Sequence, residues 1–524
     1  MSSLRANVGA LPAGSCQPDS IADTITGLRK KGVTLWLSNG QLRYKAQKGT
    51  LSAEELEHLR VCRHQVVEFL GGSIPEFRQY PLSFSQRAHW NLYHLKERPA
   101  IRQIASATRL FGNLKIGSLY ASLAAVIQHH AALRTRIVVN GSVLMQEVCQ
   151  YDRPTLPLLD IAWMPERDRK EEGQNQIRQL ILEPIDPSAD SLVAVKLLRV
   201  GVDEHVLIVA MEHMISDAFS MTIFIRDLFL GYEQAASGLP IALPDASIQF
   251  GTYAVSQQDG LASWISKHGN YFERRFNDCQ RTRFPSEIST PFPLECGWET
   301  AAVSMDLGLK AKLQEWSRRK RTTLVMAVFT AYVALVLRWC RVTDAVFLYQ
   351  IDNRDSPRVQ NSIGYFASVL YLRIQVRADD TFEDLLDQIT QEYCRAHEHA
   401  DASYAESLVP RPAYTRNTCF NWVPVVEESH PRSAQSGSLR REDVSFDHPM
   451  LKKMTRDTEP IMLLYDTKDG IVGGLLYPND RYTNPQMSGF VGSFMRAIEV
   501  MLHAPESKVL DFSREITSAA DEFR

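Results

Sequence analysis

The 524-residue sequence contains no CxxC pair, and its eight cysteines, at 16, 62, 149, 279, 296, 340, 394 and 419, follow no regular spacing. That excludes the usual zinc ribbons and disulfide frameworks and points to reduced thiols in a cytoplasmic protein. Long apolar runs are also missing. The longest, Leu324 to Leu337, is broken by Thr330 and Tyr332, so no membrane span is expected. Neither charge sign dominates: 58 basic residues stand against 61 acidic ones, net −3. Such a balance argues against a nucleic-acid-binding protein as a whole while leaving local basic patches open. The N-terminal MSSLRANVGALPAGSCQPDS has one arginine and no apolar core, so it is no secretory signal. No internal repeat is visible. What is present is an ordinary globular composition, 44% hydrophobic, which excludes disorder as the dominant state. The chain is too long for one hydrophobic core, so two or three domains are expected.

Residues 1–19 read as a disordered tail. Ile21 to Lys31 then predicts a short helix with Ile21, Ile25 and Leu28 on one face, ended by Gly32. VTLWLSNGQLRYKA follows, two alternating runs around Asn39-Gly40, a strong hairpin signal. Ser52 and Glu55 form a capping box for a helix that Gly71-Gly72 stops. Residues 20–72 therefore make a helix–hairpin–helix module. Between Arg29 and Lys48 it carries six basic residues, Arg29, Lys30, Lys31, Arg43, Lys45 and Lys48, and no acidic one. That is either a solvated basic face or a platform for an acidic, extended peptide added beside the hairpin. The run LRKKGVTLWLSNGQLRYKAQKGTLSAEEL resembles the N-terminal β-hairpin docking domain of nonribosomal peptide synthetase subunits. The resemblance implies that the module receives the acidic, partly apolar C-terminal tail of an upstream acyl- or peptidyl-carrier subunit, with Trp36 and Tyr44 joining the basic residues. Leu70-Gly71-Gly72-Ser73 lies one residue short of a carrier's phosphopantetheine site and reads as a turn.

From Tyr80 onward helices alternate with β-branched strands such as HVLIVAM (205–211) and SVLYLRIQV (368–376). An α/β (α+β) architecture in two similar lobes is expected, 78–250 and 251–524. Residues 425–445 are polar and read as a surface loop. Phe420-Asn421-Trp422 reads as core strand and Asp469-Gly470 as a hairpin turn. His397-Glu398-His399 looks metal-like, but i,i+2 residues point to different helix faces; these are taken as surface residues, and no metal site is assigned.

The chemistry lies after the strand that ends at Met211. His213 sits at the exit of a buried run, Asp217 or Ser216 can cap the following helix, and a neutral imidazole can take a proton from an attacking amine or alcohol. Residue types alone leave open a structural histidine and a simple capping aspartate. Glu212-His213-Met214-Ile215-Ser216-Asp217-Ala218, however, resembles the HHxxxDG signature of condensation domains and their acyltransferase relatives. Further motifs stand in that family's order. They are Tyr80 to Arg87 with Trp90, His129 to Arg136, Phe250 to Val255 (with Thr252 and Ser256 in place of the usual Asp and Trp), Asp344 to Arg354, and Ile363 to Val369. The resemblance spans about 78–515. It implies two chloramphenicol-acetyltransferase-like lobes forming a V-shaped pseudodimer, behind the docking module.

It also implies that His213 is the catalytic histidine and that Asp217 organises the site with Arg354 as its buried partner. Glu212 stands where the family has its first histidine and Ala218 where it has glycine. The expected activity is carrier-dependent acyl transfer to an amine or hydroxyl, giving an amide or ester, with a tilt toward chain release. No cofactor is expected on this chain; the substrates would ride on phosphopantetheine arms of carrier proteins, the acceptor on a second carrier or free. No nucleic acid or membrane partner is expected, and a monomer is. The alternatives are a silent recruiting platform, a carrier-independent acyltransferase, a heterocyclising relative (Glu212-x₄-Asp217 being close to DxxxxD) and an epimerising one.

Overall fold

The computed structural model describes residues 2–3, 28, 33–38, 41–45, 50–52, 55, 59, 78–94, 103–141, 143–150, 154–183, 185–189, 191–279, 281–286, 297–400, 417–423, 439–444 and 459–511. The chain divides into two units, Met1–Arg78 and Gln79–Arg524.

In the first unit, β1 (Ser2–Ser3), β2 (Thr34–Ser38) and β3 (Gln41–Lys45) form a sheet in the order β1-β3-β2. Ser38 faces Gln41 in an antiparallel register, the two-residue connection that Asn-Gly specifies. The same register sets Trp36 opposite Arg43 and Thr34 opposite Lys45. The predicted capping box is present: the Ser52 N–H donates to Glu55 Oε2 at 2.9 Å and the Glu55 N–H to Ser52 Oγ at 3.1 Å. Among the described residues of this unit, Leu28, Val33 and Leu59 are buried and apolar. Ser2 and Ser3, from the expected tail, pair with Tyr44 and Arg43. Arg29, Lys30, Lys31 and Lys48 lie outside the described residues, as does Ser73.

The second unit opens with β4 (Arg78–Pro81), α1 (Phe84–His94), β5 (Gln103–Phe111) and α2 (Ile116–His129). There follow β6 (Thr135–Asn140), β7 (Val143–Val148), β8 (Leu158–Asp160), α3 (Glu166–Leu182), β9 (Val193–Gly201), β10 (Glu204–Glu212), α4 (Ala218–Ala236) and α5 (Phe250–Phe276). Its second half runs β11 (Trp298–Asp306), α6 (Leu307–Arg319), α7 (Leu324–Trp339), β12 (Asp344–Ile351), β13 (Ser368–Gln375) and α8 (Phe382–His397). It closes with β14 (Cys419–Val423), β15 (Arg440–Asp443), β16 (Ile461–Thr467), β17 (Gly470–Pro478) and α9 (Asn484–His503).

Each half is a sheet covered by helices. The first-half sheet has the order β15-β5-β10-β9-β8, with α2 and α4 packed on one face and α3 on the other. Covering on both faces explains why β10 reads as an unbroken apolar run, Val206 to Met211, rather than an alternating one. The second-half sheet, β11-β17-β16-β14-β12-β13, buries α7, α8 and α9 on one side and the Phe272–Phe276 end of α5 on the other. Helix α7, the longest oily stretch of the sequence, is interior: Ala327 to Leu337 are almost wholly buried. No single helix among the described residues is long and apolar enough to cross a membrane.

Two readings of the sequence change. The polar stretch 425–445 is not loop throughout, because residues 440–443 add to the first-half sheet as β15, antiparallel to β5. Their arginines account for it: Arg440 covers the Phe111 ring at 3.8 Å and Arg441 the Phe229 ring at 4.6 Å. His399 is not a bare surface residue. It stacks on Tyr271 at 3.7 Å and contacts His268 on α5. Residue 250, where the first lobe is expected to end, is the first residue of α5.

Candidate active site

β10 ends at Glu212 and the chain turns through a 3₁₀ segment, His213–Ile215, before Asp217 caps α4. The strand is held on both sides by β5 and β9, so the turn is projected from a rigid support. His213 Nδ1 lies 2.8 Å from the Ser216 carbonyl oxygen. A carbonyl only accepts, so Nδ1 carries the proton and Nε2 keeps its lone pair. The ring is half-buried. Desolvation holds its pKa below the ordinary imidazole value, against the opposing effects of the Ser216 carbonyl and the Asp217 charge. At neutral pH it is therefore a neutral base with one nitrogen available.

Asp217 is buried where the two halves meet. Its Oδ1 accepts from the Ser220 N–H at 2.8 Å and the Ser220 hydroxyl at 2.7 Å, and Oδ2 accepts from the Phe366 and Ala367 N–H groups at 3.0 and 3.1 Å. Arg354 completes it with a two-pronged pair, Nη1 to Oδ2 at 2.8 Å and Nη2 to Oδ1 at 3.0 Å. Both side chains are almost fully buried. Burial by itself would push the Asp217 carboxyl up; the Arg354 charge and these donors outweigh it and leave the group below the usual carboxylate range. The Arg354 guanidinium lies between the Phe366 ring at 4.4 Å and the Phe219 ring at 4.9 Å. The preceding residue, Asn353, takes a left-handed conformation, φ 54°, and donates to the Tyr253 hydroxyl at 3.1 Å.

His213, Asp217 and Arg354 thus meet, although 137 positions separate Asp217 from Arg354. Glu212 is fully buried at the end of β10, opposite Gln103 on β5. Ala218 is exposed at the first position of α4, so its methyl adds nothing to the buried junction. The second motif is structural: His130 Nε2 lies 2.8 Å from Asp227 Oδ2, and Arg226 joins Asp227 to Asn361 of the other half.

Several contributors could not be read from the linear sequence. Gln86, fully buried on α1, donates Nε2–H to the Met214 carbonyl at 2.8 Å and so braces the turn that carries His213. Ser85 donates to the Ala367 carbonyl at 3.0 Å. One helix therefore touches site loops of both halves. Gly364 lies so close to the Phe250 ring that a Cβ there would meet its Cδ2 at 2.2 Å. Tyr365 and His89 flank His213 with ring centroids 4.5 and 5.2 Å away. The quoted motifs contain Gln86, Ser85 and Tyr365, but nothing linear says what they touch. Among the described residues no cluster of three or more His, Cys, Asp or Glu could hold a metal ion.

The family model for the condensation domain matches residues 77–519, and that for the TubC N-terminal docking domain matches residues 21–71. The chain is 24% identical over 84% of its length to a component of the linear gramicidin synthase of Brevibacillus parabrevis, of which it covers 9%. It is 27% identical over 82% of its length to the cyclosporin synthetase simA of Tolypocladium inflatum, of which it covers 3%. The chain spans less than a tenth of either relative. Among solved structures, the X-domain complexed with OxyB from teicoplanin biosynthesis superposes with a TM-score of 0.68 at 21% identity, over 84% of this chain and 96% of that one. The structure describing condensation domain-mediated chain release from the enacyloxin polyketide synthase gives 0.64 at 18% identity, over 93% and 97%. These likenesses establish the fold, that of chloramphenicol-acetyltransferase-like condensation domains.

Proposed function

Because the chain belongs to the condensation-domain family of nonribosomal peptide and polyketide assembly lines, with a docking domain before it, we propose that it transfers an acyl chain from a carrier-bound phosphopantetheine thioester to an amine or hydroxyl acceptor. The observation that carries this reading is the Nδ1–H bond from His213 to the Ser216 carbonyl, which leaves Nε2 as the accepting nitrogen on a half-buried ring. In the step, the acceptor's nitrogen or oxygen bonds to the thioester carbon while Nε2 takes its proton. The tetrahedral intermediate then expels the carrier thiolate, which recovers that proton from the imidazolium. A positioned base contributes about 10²–10⁴ in rate. Asp217 serves as an organiser: it already accepts six hydrogen bonds and so holds the turn and the facing loop in register. Release of the finished chain as an ester or amide is the finer form of this reading, and the enacyloxin system is a precedent for chain release on this fold.

The docking module is assigned the acidic C-terminal tail of an upstream carrier protein, gathered by the basic residues between Arg29 and Lys48. A short tail buries little surface, so a dissociation constant of about 1 μM, roughly −8 kcal/mol, is expected, and it should weaken with salt.

The test is intact-protein mass spectrometry of an acyl-loaded carrier mixed with the enzyme and amine or alcohol acceptors. Unloading of the carrier with product formation, lost in His213→Ala, supports the reading. Equal product formation by His213→Ala overturns the assignment of His213 as the base, and no product with either protein favours a recruiting platform.

A further inference from the structure

Helix α1 brings an imidazole to the site that the step above does not use. His89 is buried, 6% exposed, and its ring centroid lies 5.2 Å from that of His213 at an interplanar angle of 47°. Tyr365 completes the cluster, 4.5 Å from His213 and 5.7 Å, edge-on, from His89. The three rings come from α1, from the turn after β10 and from the loop before β13.

Two imidazoles so close in a partly desolvated site do not titrate independently. Charge on one opposes charge on the other, and protons load onto the pair in macroscopic steps. We propose that His89 is a positioning residue for the reaction: it shares its titration with His213, so the pair takes up one proton readily and a second only at lower pH, keeping a neutral imidazole at the site as the solution acidifies. The proposal rests on the reading of His213 as the base. Among the described residues, three other groups stand near that ring. Asp217, from its own turn, is neutralised by Arg354. Glu212 is the buried strand residue before it, and Tyr365 faces it from the opposite half. Of these neighbours, His89 is the second imidazole.

The experiment follows His213 directly. The full chain is labelled with ¹³C at histidine Cε1, and the His213 resonance is identified by its loss in His213→Ala. It is then titrated across the histidine range in the wild type, His89→Leu and His89→Gln, with circular dichroism to confirm folding. The expected wild-type curve is broad or two-step, and in both variants it collapses to a single one-proton step at a higher midpoint; the acid limb of kcat/KM changes in the same sense. A wild-type curve of one-proton slope whose midpoint stays within about 0.2 pH unit in the folded variants overturns the proposal. Should neither variant fold, a one-proton wild-type slope at an ordinary imidazole midpoint overturns it. The two readings fail separately. Product formation that ignores His213→Ala, with the coupled titration intact, removes the assignment of His213 as the base and keeps the pair. Dependence on His213 with an unchanged titration removes the pair and keeps the function.

Discussion

Replacing Asp217 by Asn tests the junction that joins the halves. The substitution keeps the side chain's shape but removes the charge facing Arg354, whose guanidinium is almost fully buried. An uncompensated buried charge costs about 3–5 kcal/mol. The amide NH₂ also turns a donor toward donors, the Phe366 and Ala367 N–H groups or those of Ser220, which adds about 1–3 kcal/mol for unsatisfied groups. Arg354→Met leaves the carboxylate with its backbone and serine donors and is expected to cost about 3–5 kcal/mol for the same reason. The double variant removes both charges, so its loss should fall short of the summed single losses by about 2 kcal/mol or more. Urea unfolding followed by tryptophan fluorescence measures all three, beside the product assay. Acid sensitivity gives a second reading. The Asp217 carboxyl titrates below its unfolded value, so its contribution is present above about pH 4 and lost as pH falls through the folded value. Asp217→Asn should flatten that limb. Single losses below about 1 kcal/mol, or strict additivity within about 0.5 kcal/mol, would refute the account of a tightly coupled buried pair.

Gly364→Ala places a Cβ against the Phe250 ring, which cannot swing away because it is buried edge-on to Phe366 at 4.9 Å. A loss of about 1–3 kcal/mol is expected, partly restored by Phe250→Leu, and thermal melting reads it. Gln86→Leu removes the donor to the Met214 carbonyl and the acceptor for the Ser83 N–H. It should cost about 1–3 kcal/mol and lower kcat more than it raises KM, whereas unchanged steady-state kinetics would separate α1 from the turn. His130, His205 and His213 are all held below the ordinary imidazole pKa, chiefly by desolvation. The folded state therefore binds fewer protons than the unfolded chain. Their stabilisation is complete above about pH 6.5 and is lost as pH falls through the folded values; a thermal midpoint that rises between pH 7 and pH 5 would contradict this.

Local chemistry made much of the molecule legible. Asn39-Gly40 between alternating runs specified a two-residue hairpin, Ser52 and Glu55 specified a capping box, and both are present. The run Val206 to Met211 announced a strand covered on both faces because no position in it tolerates water. Asp217 as the cap of α4 follows from the same kind of short-range pattern. The sequence of motifs pointed to His213 and suggested Arg354 as the partner of Asp217.

What the linear order could not carry is anything that depends on elements far apart in the chain meeting. The stretch 440–443 is polar, and polarity within a segment describes its exposure to solvent, not the free edge of β5 some 330 positions earlier with which it pairs. His399 is half-covered because Tyr271 and His268, on a helix more than a hundred positions away, happen to face it. Gln86, Ser85, His89 and Tyr365 gain their meaning from one helix crossing two loops. The short-range rules of caps, turns and periodicity act within a few residues and were therefore readable from the sequence. The bracing of His213, the six-fold satisfaction of Asp217 and the crowding of three rings are long-range packing, which only the folded chain decides.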